Sequence, residues 1–360
     1  MGYITRNLET VVSRVTKEYP VVLVTGPRQV GKTTMLKRMM EGTDREYVSL
    51  DDLNERDLAK RDPQLFLQLH KAPLLIDEVQ YAPELFTYIK ILVDKEQQPG
   101  AFWLTGSQLF QLMRGVQESL AGWVAVLSLT TLSQAEISGG TTQPFTVDLA
   151  ALTSRQKCRL KADASGIFER IFRGSMPAIV SGEISNSHIY YNSYLSTYVE
   201  RDVRELSDKI DSLKFHRFIT VVAARCGQMV NVAEIAKDAD ISQLLAKDWL
   251  GILETLGIIF YLHPYSNNLV KTPKLYFYDT GLVCHLTKWS SPETLECGAM
   301  NGAILENYVV SEIQKTYLNC GEVSADNFYS ESNIAHLRRG IAALNTGKGT
   351  EHQLIEVEDV

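Results

Sequence analysis

Between the apolar run VVLVT (21–25) and the helix-like KTTMLKRMME (32–41) lies GPRQVGKTT, Gly26 to Thr34. It fits G-x-x-x-x-G-K-[ST], and few stretches this short constrain a fold so tightly. Two glycines let backbone N–H groups turn inward around an anion, and the helix that follows presents its positive end to the same point. That geometry needs a buried strand to deliver the chain and a helix to carry it away. Gly26, Pro27, Arg28, Gln29, Val30, Gly31, Lys32, Thr33 and Thr34 are the expected phosphate-binding residues. Lys32 is expected to reach the β- and γ-phosphate oxygens, and Thr33 to put its hydroxyl on Mg2+.

The rest of a parallel sheet is visible in the first 130 residues. PVVLVT (20–25), EYVSL (46–50), PLLID (73–77), AFWLTG (101–106) and WVAVLSL (123–129) are short and apolar on consecutive positions, as strands covered on both faces by helices must be. KTTMLKRMME, PQLFLQLHK and PELFTYIKILVDK between them repeat apolar residues at helical spacing, and Asp62-Pro63 supplies an N-cap with proline behind it. Strand and helix in alternation imply an α/β fold with right-handed crossovers.

LLIDE (74–78) supplies the second half of a nucleotide site. An acid at the end of a neighbouring buried strand completes a Mg2+ shell through water, and Asp77 is placed for it. Glu78, directly after, can polarise a water toward the γ-phosphate, which a hydrolase needs and a small-molecule kinase does not. No guanine-reading NKxD pattern is present, and DEVQ is not the DxxG of GTP switches. The expectation is ATP with Mg2+, and hydrolysis. LTGSQ (104–108) ends the fourth strand, where Ser107 or Thr105 would touch the γ-phosphate or the attacking water; Ser107 also reads as an ordinary helix cap.

From Ser133 the pattern changes. SQAE (133–136) matches a capping box, residues 141–185 give no clear order, and a helical region is expected over 187–225. NVAEIAKDADISQLLAKDWLGILETL then reads as two helices, with the turn closed at Asp240 and Ser242 as N-cap. GIIFYLH and KLYFYD follow as a hairpin, so the outline is a winged helix. The leucines at 244, 245, 250, 253 and 256 read as core, as does the tyrosine stripe YYNSYLSTY. Residues 200–290 hold 11 Lys/Arg against 11 Asp/Glu, so DNA is not pressed by charge.

Bulk properties exclude more than they select. With 360 residues, 45% apolar and 22% charged, the chain suits two or three globular domains. A net charge of −7 gives no general pull toward nucleic acid or anionic membrane. The five cysteines at 158, 226, 284, 297 and 320 form no CxxC pair, which fits reduced thiols. The N-terminus, charged from Arg6 onward, is no signal peptide, and no apolar run approaches a membrane span. A cytoplasmic protein without a membrane partner is expected.

IxR at 4–6, PVVLVTGPRQVGKTT, YVSLDD, DPQLFL, LLIDEVQYAPELF, LTGSQLFQLM, ESLAG, SYLSTYVERDVREL and NNLVKTPKLYFYDTGL together resemble prokaryotic AAA-type ATP-binding proteins that carry a C-terminal domain of unknown function. The resemblance runs from residue 3 to about 310. It implies an AAA-like P-loop domain over 1–135 with strand order 5-1-4-3-2, a helical linker over 136–200, a winged helix over 201–287 and a nuclease-like α+β module over 288–360. By the same match Lys32, Ser107 and Glu78 are catalytic, and Thr33 and Asp77 hold the metal.

The chain departs from that pattern twice. After SLAG the family has an arginine, suited to neutralise transition-state charge, and this chain has Trp123; Arg114 or the Arg201/Arg204 pair would have to replace it, unless that pair only makes helix ion pairs with Glu200, Asp202 and Glu205. In the nuclease-like module Glu306 fits the first acid, but Ala335 and His336 stand where the second is expected, and LIEVE gives Glu356 with Glu358 in place of lysine. Nuclease chemistry is therefore not expected. Two functions remain open: an ATPase whose nucleotide state moves the winged helix, or a slow ATP-dependent switch that binds DNA or protein. ATP is the expected ligand, with a homo-oligomer and DNA as candidate partners.

Overall fold

The structure, a computed structural model, describes residues 2–107, 120–156, 163–199, 203, 211–264 and 272–322. Two compact units divide the chain; among the described residues, 145–156 belong to the second and all others to the first.

The first unit opens with α1 (Leu8–Val15), β1 (Val21–Thr25), α2 (Lys32–Met40), β2 (Glu46–Ser49), α3 (Leu53–Arg61), α4 (Pro63–Leu69), β3 (Leu74–Asp77), α5 (Leu85–Glu96), β4 (Phe102–Gly106) and β5 (Val124–Ser128). The strands make one parallel sheet in the order β2-β3-β4-β1-β5, which is the expected 5-1-4-3-2 counted from the other edge. Every position of β1, β3 and β4 is buried, because helices cover both faces. The two-residue period of a strand sorts the side chains. Val21, Leu23, Ile76 and Leu104 meet Phe66, Phe86 and Ile89 on one face; Val22, Val24, Leu75 and Trp103 meet Leu8, Val12, Met35 and Leu36 on the other. Helix α3 is absent from the sequence reading because it buries only Ala59 and so has no apolar stripe to detect.

The expected capping box forms: Ser133 Oγ accepts from Glu136 N, and Ser133 N donates to Glu136 Oε2 at 2.8 Å. The helix it opens, α6 (Gln134–Ile137), is only one turn long. In the second unit lies α7 (Leu149–Gln156). The first unit resumes with α8 (Ala164–Arg173), α9 (Pro177–Val180), α10 (Ser187–Tyr194), α11 (Ser212–Ala223), α12 (Val232–Ala239), α13 (Gln243–Thr255), β6 (Ile259–Leu262), β7 (Lys274–Phe277), α14 (Thr280–Leu286), α15 (Pro292–Glu296) and α16 (Asn301–Leu318). The helical region expected over 187–225 is thus α10, prolonged by a π-helical turn at Leu195–Val199, and a separate α11.

Asp240 closes α12 in the left-handed conformation (φ 58°), and Ser242 caps α13 as the sequence suggests. β6 and β7 pair antiparallel, and Met229 bridges to Lys274 beside them. Leu250, Leu253 and Leu256 are buried, but Leu244 is 72% exposed, a correction to the expected core set. Helical spacing puts residue 244 on the face opposite Ala246, Trp249 and Leu253. Trp249 lies edge-on to Phe215 and Phe218, with ring centroids 5.3 and 5.2 Å away. Tyr190, Tyr191 and Tyr194 are core as expected, in one hydrophobic cluster whose members range from Phe168 to Ile304.

Buried polar side chains lock these helices. Asp279 accepts from Tyr191 OH at 2.6 Å, Leu282 N at 2.7 Å, and the Ser175 N and Oγ at 2.7 and 3.1 Å. Lys315 Nζ donates to Leu132 O, Ser175 Oγ and Glu312 Oε1 at 3.0, 3.1 and 2.9 Å. Asn307 takes both backbone groups of Phe277, at 2.7 and 2.9 Å, as a further strand would. No helix among the described residues is long and apolar enough to cross a membrane.

Candidate nucleotide site

The C-terminal ends of the strands meet at one edge of the sheet, where Thr25 is level with Gly106 and Ser128. The loop leaves β1 here. Gly26 has φ 137°, and a Cβ on it would lie 1.9 Å from Leu129 O, so no side chain is tolerated. Gly31, at φ 91°, caps α2; a Cβ there would meet nothing within 4 Å, so its glycine answers to the backbone angle and leaves open space before the helix. Gln29 is also left-handed, at φ 63°. The loop therefore curls around the first turn of α2. Lys32 opens that turn, is buried, and donates from Nζ to Gly26 O at 2.9 Å and Pro27 O at 2.8 Å.

Thr33 Oγ1 donates to Asp77 Oδ1 at 2.7 Å, which brings together the two residues expected at a metal. Tyr47 OH reaches Asp77 Oδ2 at 3.2 Å, and Thr105 Oγ1 also donates to Asp77 Oδ1. Glu78 adopts the left-handed conformation (φ 58°), and its N–H donates to Thr105 Oγ1 at 3.1 Å. Its carboxylate accepts from Gln80 Nε2, which lies 3.5 Å from Ser107 Oγ. Of the two hydroxyls suggested at the tip of β4, Thr105 is committed to Asp77 and Glu78, and Ser107 stands one step further out. The sequence reading missed Tyr47 and Gln80; DEVQ was in view, but only to exclude a GTP switch.

Arg6, 3% exposed, braces the loop from behind. It donates from Nη1 to Val30 O at 2.8 Å, from Nη2 to Thr130 O at 2.8 Å and from Nε to Glu136 Oε1 at 3.0 Å. Burial alone would raise the Glu136 carboxyl, but the Arg6 charge and hydrogen bonds from Ser133 and Asn7 hold it below its ordinary value. Next to the loop is a cavity of about 230 Å3. It lies between Tyr3 and Ile4, the loop residues Gln29 to Gly31, and Pro177 to Ser181 around α9.

Residues 18–138 match the model of a family described as an AAA domain. The phosphate loop and all five strands of the parallel sheet lie inside that segment. Residues 165–293 match a second model, described as a domain of unknown function. Uncharacterised proteins of Mycobacterium bovis and Mycobacterium tuberculosis are each 30% identical over 300 residues, which is 82% of this chain and 62% of theirs. The chain therefore spans 62% of the length of those curated relatives. Among solved structures, a Walker-type ATPase of Pyrococcus abyssi is 13% identical, with 78% of this chain and 94% of that one covered at a TM-score of 0.48. The RuvB Holliday junction branch migration motor of Thermotoga maritima is 15% identical, with 71% and 89% covered at a TM-score of 0.34.

Within the AAA domain, Trp123 is not near the loop. Val21 pairs with Val124 and Thr25 with Ser128, so Trp123 lies at the opposite end of β5, packed on the sheet core. Five residues of strand separate it from the phosphate end, about 16 Å. An arginine in its place could not reach the phosphates of the same chain. Arg114, Arg201 and Arg204 lie outside the described residues, as do Ala335, His336, Glu356 and Glu358. Glu306 is engaged by Lys274 Nζ at 2.7 Å and Tyr276 OH at 2.6 Å. Burial would raise its carboxyl, but these two donors hold it below its ordinary value.

Proposed function

We propose that the chain binds MgATP and hydrolyses it to ADP and phosphate, and that the nucleotide state shifts the winged-helix-like segment α11–β7. What carries this reading is the 2.7 Å contact between Thr33 and Asp77 with Glu78 directly beyond it, at the mouth of the loop. The donor set fits Mg2+. Thr33 and Asp77 offer hard oxygens, and no group of three or more His, Cys, Asp or Glu among the described residues could hold a metal by itself. Mg2+ is usually bound this way, by one or two protein oxygens completed by phosphates and water. It would neutralise charge on the β- and γ-phosphates. Lys32 and the loop N–H groups then hold the phosphates, Ser107 faces the γ-phosphate, and Glu78 accepts the proton of the attacking water. The cavity beside Gln29–Gly31 takes the nucleoside.

Coupling has a physical route in the turn between α13 and β6. Gly257 lies close to the loop: a Cβ there would come within 2.9 Å of Pro27 Cγ. Lys32 Nζ bonds to Pro27 O on the same residue. Phosphates that draw Lys32 away loosen the residue that lies beside the turn after α13. The exposed face of α13 carries Leu244 and Lys247 against Asp248 and Glu254. One cation with two anions favours a protein partner or a second copy of the chain over DNA.

Phosphate release by the wild-type protein and by Glu78→Gln, with and without EDTA, tests the reading. Loss of a general base is expected to slow release on the order of 10²-fold with nucleotide affinity kept, and EDTA should abolish it. Wild-type turnover no faster than that of Glu78→Gln would leave the slow switch as the better account.

A further inference from the structure

Gln80 lies in the single 3-10 turn Val79–Tyr81 that follows Glu78, and it is 7% exposed. A primary amide is rarely buried without a task. Its Nε2 donates to Glu78 Oε2 and lies 3.5 Å from Ser107 Oγ. Chemistry fixes the orientation: an ionised carboxylate only accepts, so the amide must turn its NH2 toward Glu78. Oε1 therefore faces the other way, buried, and no described residue donates to it. Glu78 is itself held in a left-handed backbone conformation by its N–H bond to Thr105 Oγ1. With the backbone pinned, the rotamer of Glu78 is what remains to be set, and Gln80 is the side chain that grips its carboxylate.

We propose that Gln80 is a positioning residue for ATP hydrolysis. It links the Glu78 carboxylate to Ser107 at the tip of β4 and so sets the rotamer from which Glu78 meets the attacking water. In that step the water oxygen bonds to the γ-phosphorus and one of its protons passes to Glu78. The bond from phosphorus to the β–γ bridging oxygen breaks, and the electron pair leaves with ADP. Gln80 acts through Glu78, by holding the base where it can take that proton. The inference rests on the hydrolysis reading above.

The test combines kinetics with a readout that needs no turnover, both on the full chain. Steady-state phosphate release is measured for the wild type, Glu78→Gln and Gln80→Leu. Misplacing the water and its base should lower kcat of Gln80→Leu about ten- to a hundred-fold, with KM and affinity for a fluorescent ATP analogue within about two-fold of wild type. A kcat that stays within about three-fold overturns the proposal, and so does a KM that rises in step with the loss. If the wild type does not exceed Glu78→Gln, the hydrolysis reading itself has failed. The second readout is the Gln80 side-chain amide in a 15N–1H spectrum, assigned by its loss in Gln80→Leu. It should shift in Glu78→Ala and in Ser107→Ala. An amide resonance unmoved by either substitution rules out the link, whatever the turnover.

Discussion

The AAA domain and the helices built on Phe168 to Ile304 bury polar residues for opposite ends. In the helical region the charged groups Asp279 and Lys315 are each met by several partners, although Trp249 Nε1, Trp289 Nε1 and His285 Nδ1 have none among the described residues. Asp279 takes four donors from three residues, and Lys315 meets three acceptors. At the edge of the sheet the bonds stay within the loop and the strand ends, and one acceptor is left over. Lys32 rests on the carbonyls of its own loop, and Gln80 Oε1 has no donor from any described residue. Buried polar atoms that satisfy each other hold a fold; buried polar atoms that converge without closing their own network are a site for someone else's charge.

The largest expected effect breaks the first half of that contrast. Asp279→Ala strips partners from Tyr191 OH, Ser175 and Leu282 N at once. Several buried donors are left without acceptors, a cost of about 3–5 kcal/mol. Space is tight as well, since a Cβ on Gly174 or Gly281 would come within 2.4 Å or 2.3 Å of Tyr191 OH, so relaxation is restricted. Urea unfolding should show a lower midpoint for Asp279→Ala, while nucleotide affinity of the fraction still folded stays near that of the wild type. A midpoint unchanged from the wild type would refute the structural role.

The next crosses the border between the regions. Ser181, at the end of α9, belongs to the helical part of the sequence yet lines the cavity beside the loop. Ser181→Trp fills that cavity. Overpacking by a large side chain costs 1–3 kcal/mol, so ATP affinity should fall about ten-fold or more. Stability in the same urea titration should change little. If titration calorimetry gave an unchanged Kd, the cavity would not be where the nucleoside lies.

This border also marks what the sequence could tell. The loop, Asp77 and Glu78 were legible because the chemistry demands given residue types at given backbone positions: glycine at Gly26, a hydroxyl at Thr33, an acid at the end of β3; the sheet order came from the family resemblance instead. Gln80 and Tyr47 were not, because their work is to hold another side chain, and no motif fixes the residue type for that. In the helical part the pairs are Ser175 with Asp279 and Leu132 with Lys315, more than a hundred residues apart, and no local period reports them. Helix α3 was invisible for a third reason, its polar faces. Where Trp123 sits was not legible either: strand pairing puts it at the end of β5 away from the loop, which sequence order alone does not report.

A smaller effect concerns a cluster in the AAA domain where titratable groups close on themselves. His70, at the end of α4, meets Glu46 of β2 at 2.6 Å and Glu55 of α3 at 2.9 Å. Burial would lower the imidazole, but hydrogen bonds and charge from both glutamates outweigh it and raise its pKa above the ordinary 6.5. A folded-state pKa above the unfolded one means the contribution is fully present below pH 6.5 and is lost as pH rises through the folded value. Both glutamates are partly exposed, so salt screens the pair and its worth is at most about 1 kcal/mol. His70→Gln should flatten the stability profile between pH 6 and 8, on the order of the His titration range. An identical pH profile for the two proteins would show that the cluster does not contribute.

The smallest expected effect is also the most discriminating about assembly. Trp123→Arg restores the arginine of the family pattern, and a residue of that kind is worth about 10³–10⁵ in rate where it reaches the transferring phosphoryl group. From the far end of β5, about 16 Å along the strand from the loop, it cannot do so within one chain. At concentrations where the chain is monomeric, Trp123→Arg should therefore release phosphate at the wild-type rate. Any gain must come from a neighbour whose loop faces the base of β5, and so must grow with protein concentration. A concentration-independent rise would mean that the register of β5 against β1 is wrong; a rise that tracks concentration would identify that end of the sheet as the surface one copy presents to the nucleotide of the next.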